Sequence, residues 1–104
     1  LYTSGSSAKP KAVRLRQHGI IENGFNIGER MGLRPGDRVL LSAPLFWSYG
    51  SANALSATFT HGGALVLQDK FGAAESIELF EGPGTTEIYT LPGMTSAIIR
   101  DPSY

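Results

Sequence analysis

The stretch Arg38-Val39-Leu40-Leu41-Ser42-Ala43 runs three aliphatic side chains together between a turn and a serine. A strand with one wet face alternates apolar and polar residues, whereas an unbroken apolar run suits a strand covered on both faces, as in a parallel sheet. Upstream, Leu33-Arg34-Pro35-Gly36-Asp37 has turn chemistry. Downstream, Ala64-Leu65-Val66-Leu67-Gln68 is a second apolar run that reads as another buried strand, and Thr86 to Thr90 reads as a third.

Helical periodicity fills the spaces between these strands. Gln17 to Met31 places Ile20, Ile27 and Met31 on one face, widened by Ile21 and Phe25, with Gly24 and Gly28 on the same side, small enough to bring the helix close to a sheet. Gly32 is a natural stop. Tyr49 to Thr60 reads as a helix with Ala52, Leu55 and Phe59 on one face, ended by Gly62-Gly63. Ala73 to Glu81 reads as a helix with Ile77 and Phe80 inward and Glu75, Glu78 and Glu81 outward. Gly93 to Arg100 reads as a last short helix. Strands joined by helices of this length run parallel. The expected fold class is therefore α/β: a layered, mostly parallel sheet flanked by helices. A hairpin precedes it, made by Leu1 to Thr3 and Lys11 to Leu15 around the loop Ser4 to Pro10. Ligands on such sheets gather at the carboxyl ends of the strands, which directs attention to Ser42 to Tyr49 and to Thr90 to Met94.

Composition removes several classes of function. Of 104 residues, 41% are apolar and 17% charged, a globular balance that fits one domain. Net charge is zero, so no global field draws nucleic acid or an anionic membrane. With no cysteine, disulfides and thiolate chemistry are excluded. No apolar run approaches the ~20 residues of a membrane span, and no signal peptide is visible, which makes the cytoplasm the expected compartment. His18 and His61 are well separated and lack the converging ligands of a zinc site. His18 is expected to pack against the N-terminal loop, and His61 to close a helix. No serine sits in a G-x-S-x-G elbow. The chain opens in a strand, at Leu1 rather than Met, and both ends are expected to continue into a larger domain.

Thr3-Ser4-Gly5-Ser6-Ser7-Ala8-Lys9-Pro10-Lys11 carries four hydroxyls and two ammonium groups. Hydroxyls, backbone N–H groups and positive charge are what phosphate oxygens require. Gly5 lets a backbone come close, and Pro10 stiffens the exit toward Lys11. Arg14 and Arg16 extend the positive stretch, and no acidic residue intervenes before Glu22. The same residue types also make solvated turns without function, and composition leaves both readings open. Spacing excludes the G-x-x-x-x-G-K-[ST] phosphate loop and the G-x-G-x-x-G dinucleotide fingerprint.

Tyr2 to Lys11 is similar to the phosphate-loop signature Y-T-S-G-[ST]-T-G-x-P-K-G of the adenylate-forming superfamily, of the acyl-CoA synthetase type. Ala8 and Ala12 stand where that pattern has Gly; a position needing positive φ would charge the methyl group about 1–2 kcal/mol. The resemblance continues. Arg16-Gln17-His18 falls at a T-H dipeptide, and Arg34 to Leu40 at an L-x-x-G-D-x-x-L strand entry. Ala43-Pro44-Leu45-Phe46-Trp47-Ser48-Tyr49-Gly50 falls at P-[LM]-[FY]-H-x-x-G, Gly62-Gly63-Ala64 at a G-G turn, and Ile88 to Met94 at V-x-x-x-P-x-[ML].

The resemblance implies that residues 1–104 are part of an AMP-binding N-terminal domain. It implies that Thr3, Ser4, Gly5, Ser6, Ser7, Lys9 and Lys11 bind the phosphates of ATP, with Lys11 acting catalytically by neutralising departing pyrophosphate. Phe46, Trp47 and Tyr49 would line the acyl pocket, Trp47 replacing the usual His as a movable gate; core packing is the competing reading of these aromatics. The segment lacks the Asp that pairs with an amino-acid ammonium in amino-acid-activating relatives, which favours a fatty or aryl acid. ATP with Mg²⁺ and coenzyme A are the implied co-substrates, a small carboxylic acid the implied partner, and no protein-held metal is expected. Thr86-Glu87 resembles a magnesium-associated T-E pair but begins a strand, so that role does not transfer. Alternatives are an adenylating enzyme that loads a carrier protein, and a non-catalytic module for phosphorylated ligands. Exposed sheet edges imply marginal stability or self-association of this piece alone, and ligase activity is not expected from it alone.

Overall fold

The structure is a computed structural model that describes residues 1–3, 5, 8–82 and 84–104. Its elements are α1 (Gln17–Met31), β1 (Arg38–Leu41), a π-helical segment (Tyr49–Leu55) that runs into α2 (Ser56–Thr60), β2 (Ala64–Leu67), α3 (Ala73–Glu81), β3 (Glu87–Tyr89) and α4 (Pro92–Arg100). The strands form a parallel sheet in the order β2-β1-β3, with Arg38 opposite Ala64 and Val39 opposite Glu87. Tight turns cannot join parallel neighbours, and the helices α2 and α3 supply the crossovers.

β1 is central and covered on both faces, as its apolar run implies. Val39 and Leu40 are completely buried and Leu41 nearly so. Val39 and Leu41 share a cluster with Leu33, Ala43, Ala54, Ala57 and Tyr89. Leu40, one step along the pleat, is buried outside that cluster. β2 departs from the expectation of a second buried strand: it is an edge, with Leu67 57% exposed. A run of apolar residues reports affinity for cover without reporting position in the sheet, and the edge position leaves β2 half covered.

α1 keeps its expected bounds and stops at Gly32 (φ 72°), where Leu33 N–H returns to Gly28 O at 3.0 Å. Its small-residue stripe meets a helix rather than a sheet. Gly24 lies against Ser56 and Ala57, and Gly28 against Ala57 and the His61 ring, so closely that a Cβ at either position would overlap them. Ile21 and Phe25 stay about half exposed instead of widening the buried face.

The segment 49–60 is helical throughout, but its first half is π rather than α. The wider i→i+5 bonding turns the following residues to a new phase. Ala54, Ala57 and Thr58 are buried, while Phe59, expected inward, is 61% exposed. Hydroxyls occupy carbonyls along this stretch: Ser56 Oγ donates to Ser51 O (3.1 Å), Thr58 Oγ1 to Ala54 O (2.7 Å) and Thr60 Oγ1 to Ser56 O (2.7 Å). In α3 the buried residue is Ser76; Ile77 is half-buried and Phe80, expected inward, is 43% exposed.

The hairpin is present in reduced form. Tyr2 and Ala12 make one antiparallel bridge, flanked by Thr3 N–H to Lys11 O (2.9 Å) and Val13 N–H to Leu1 O (2.6 Å).

Candidate functional site

The bend after Thr3 is tight. Gly5 has φ +67°, and a Cβ there would press on Ala8 O and the Pro10 ring, so only glycine fits without strain. Ala8 is not strained: no described residue other than glycine has positive φ. Lys11 N–H donates to Thr3 Oγ1 at 2.9 Å. The Thr3 hydroxyl thus accepts from the chain, and among the described residues its proton has no acceptor. The side chains of Lys9 and Lys11 are exposed. Ser4, Ser6 and Ser7 lie outside the described residues.

At the carboxyl end of β1 the chain turns through Ser42 to Ser48. Phe46 is 74% exposed and Trp47 50%, and their rings meet edge to face at 6.3 Å. Neither ring joins the core cluster of these 104 residues. Tyr49 is different: it is half-buried, packs on the core and tilts against Tyr89 with ring centres 5.2 Å apart. Its hydroxyl donates to Thr90 O at 2.9 Å, which ties the exit of β1 to the exit of β3. Burial raises the Tyr49 phenol pKa. Burial does the same for Tyr89, helped by the neighbouring Tyr49 and Glu87.

Two hollows adjoin these strand ends. One of about 470 Å³ lies against Leu41 to Phe46 and Leu67 to Asp69. The other, about 430 Å³, lies between α3 and α4 and includes Phe80, Ile88, Thr90 and Tyr104. Phe46 borders the first; Trp47 and Tyr49 border neither.

Gln68 was not singled out by its sequence position, although a lone amide at the end of an apolar run is a visible signal. It is 5% exposed and fully engaged. Its Nε2 donates to Gly72 O (3.1 Å) and Glu75 Oε2 (3.0 Å), and its Oε1 accepts from Ser42 Oγ (2.5 Å) and Ser76 Oγ (3.0 Å). The other polar candidates are placed as follows. Thr86 lies just before β3 at the amino end of the sheet and bonds Asp37 Oδ1 (3.0 Å), away from the strand exits. His18 does not pack against the loop: its side chain is 89% exposed, 3.6 Å from Glu22. His61 closes α2, with Nε2 3.0 Å from Glu29 Oε1 and its ring stacked on Phe25 at 5.1 Å. Among the described residues no group of three or more His, Asp or Glu converges as a metal cage would.

The sequence model of the AMP-binding enzyme family matches residues 1–104. The chain belongs to that family. Among relatives, a sulfoacetate–CoA ligase of Cupriavidus necator is 32% identical over 102 residues, 98% of this chain and 20% of that protein. The mitochondrial medium-chain acyl-CoA ligase ACSF2 of Mus musculus is 28% identical over 108 residues, 99% of this chain and 18% of that protein. Among solved structures, o-succinylbenzoate–CoA synthetase of Bacillus subtilis in complex with ATP and magnesium superposes with a TM-score of 0.86 at 25% identity, over 97% of this chain and 21% of that one. The chain thus spans about a fifth of the length of its AMP-binding relatives.

Proposed function

We propose that this chain is the phosphate-loop and acyl-facing part of an ATP-dependent acid–CoA ligase. In the first half-reaction a carboxylate oxygen attacks the α-phosphorus of ATP, forming acyl-AMP and releasing pyrophosphate. In the second, the thiol of coenzyme A attacks the acyl carbon and AMP leaves. Mg²⁺ arrives on ATP, since it favours phosphate oxygens over an all-protein cage. The bend from Thr3 to Lys11, including Ser4, Ser6 and Ser7, holds the phosphates, and Lys11 offsets the charge of the departing pyrophosphate. Phe46, Trp47 and Tyr49 face the acyl group.

The observation that carries this reading is the exposed Phe46–Trp47 pair at the carboxyl end of the central strand, where α/β sheets bind ligands. The pair is apolar and the segment 43–50 has no carboxylate, which supports a fatty or aryl acid without an α-amine. The test is acid-dependent ATP–pyrophosphate exchange by the full-length protein across acids of graded length, with coenzyme A or a carrier-protein thiol as acceptor. Exchange with apolar acids and transfer to coenzyme A support the reading; exchange only with amino acids defeats it.

The 104 residues alone are proposed to be inactive, and acyl-CoA formed by them above background would contradict that. No helix among the described residues is long and apolar enough to cross a membrane. The cytoplasm is the proposed compartment, and imaging of a tagged full-length protein checks it.

A further inference from the structure

We infer that Gln68, through Ser42, is the positioning residue that aims the Phe46–Trp47 segment at the acyl group. This inference rests on the proposed acyl-facing role of that segment. Only one amide orientation suits the site. Gly72 O and the Glu75 carboxylate are acceptors, so both must face the Gln68 NH₂ group, and the two serine hydroxyls then face Oε1. Ser76 has one proton to share between Gln68 Oε1 (3.0 Å) and Gly72 O (2.8 Å). Ser42, at 2.5 Å with no second acceptor among the described residues, is therefore the principal donor to Oε1. Gln68 N–H also donates to Leu41 O at 3.0 Å.

The consequence is directional. Ser42 is the first residue after β1, and everything from Ala43 to Trp47 leaves the sheet from it. Gln68 fixes that exit to the start of α3, which packs on β1. A buried amide that satisfies all its hydrogen-bonding groups holds one arrangement, because any other leaves a polar atom unpaired. The same residues, Ser42 and Gln68, border the 470 Å³ hollow beside Phe46.

The experiment compares Ser42→Ala with Ser76→Ala in the full-length protein. Each removes one hydroxyl from Gln68 Oε1, but only Ser42 leads to the aromatic segment. Ser42→Ala is expected to raise KM for the acid about fivefold to tenfold, with kcat and KM for ATP kept. Ser76→Ala should leave the acid KM within about twofold, and Ser42→Thr should restore it. With 5-fluorotryptophan incorporated, the Trp47 fluorine resonance, assigned by its loss in Trp47→Phe, should move in Ser42→Ala and not in Ser76→Ala. Equal kinetic losses in the two variants, or a Trp47 resonance unmoved by Ser42→Ala, overturn the inference. If no acid supports exchange even in the unsubstituted protein, the proposed function fails by itself. The fluorine comparison then still decides whether the Ser42 hydroxyl, through its bond to Gln68, holds the segment.

Discussion

Tyr49 joins the fold to the candidate site through one hydroxyl. Its O–H donates to Thr90 O, and burial raises its pKa, as burial also raises that of Tyr89. The sign of the pH effect follows. In the unfolded chain a phenol ionises near pH 10. In the folded chain it ionises later, so above pH ~10 the folded state holds more protons and stability falls as pH rises. The contribution is complete below the unfolded value and is lost progressively through the raised folded ones. Denaturation midpoints from pH 8 to 11 should therefore decline at the alkaline end. The Tyr49→Phe/Tyr89→Phe double variant should show a shallower decline, and identical slopes would count against this account. Lys11 makes the second residue-scale prediction. Replacing it by Ala should lower acid-dependent exchange by about a hundredfold, the scale of one transition-state charge contact, with little change in melting temperature because its side chain is exposed. The turn at Gly5 and the place of Phe46 and Trp47 at the exit of β1 were legible in the sequence, from a glycine inside a polar loop and from the end of the apolar run. The Gln68 network was not, because it joins residues 42, 68, 72, 75 and 76, which only the folded sheet brings together.

Among elements, helix α1 shows how far periodicity carries. Its bounds were readable from the 3.6-residue pattern and from Gly32, but its partner was not. Gly24 and Gly28 announce a close approach without naming what approaches, and the neighbour is α2. The phase of 49–60 was hidden for a related reason: the pattern template assumed one helical period, and a π segment changes it midway. The two kinds of glycine in α1 give opposed predictions. Gly28→Ala drives a methyl group into the His61 ring and Ala57 O and should destabilise by about 1–3 kcal/mol, despite the better helix propensity of Ala. Gly19 has nothing within 4 Å of a built Cβ, so Gly19→Ala should stabilise by up to about 1 kcal/mol. Urea midpoints of the two variants check both. A gain at Gly28 would mean that α1 and α2 do not approach as described.

At the scale of the whole molecule, the surface is larger than the mass warrants. A folded monomer of 11.1 kDa is expected to expose about 5,700 Å², and this chain exposes 7072 Å². The Cα radius of gyration is 14.8 Å, against about 13 Å for a compact chain of this length. The excess has an address. β2 and β3 are both edges of the sheet, Leu67 on β2 is 57% exposed, and Phe80 and Ile99 stand open on α3 and α4. Unpaired strand edges beside apolar side chains are templates for another chain. The 104-residue chain by itself should therefore self-associate at micromolar concentration, read by sedimentation equilibrium. A charge on an edge strand opposes pairing, so Leu67→Lys should weaken the association by about tenfold, or about 1.4 kcal/mol, while Arg14→Ala, outside β1, β2 and β3, should not. A sharply monomeric species in the unsubstituted chain would show that the open edges are protected in some other way. Association unchanged by Leu67→Lys would move the contact from β2 to the opposite edge at β3 or to the α3–α4 face, where Ile99→Lys is the corresponding probe.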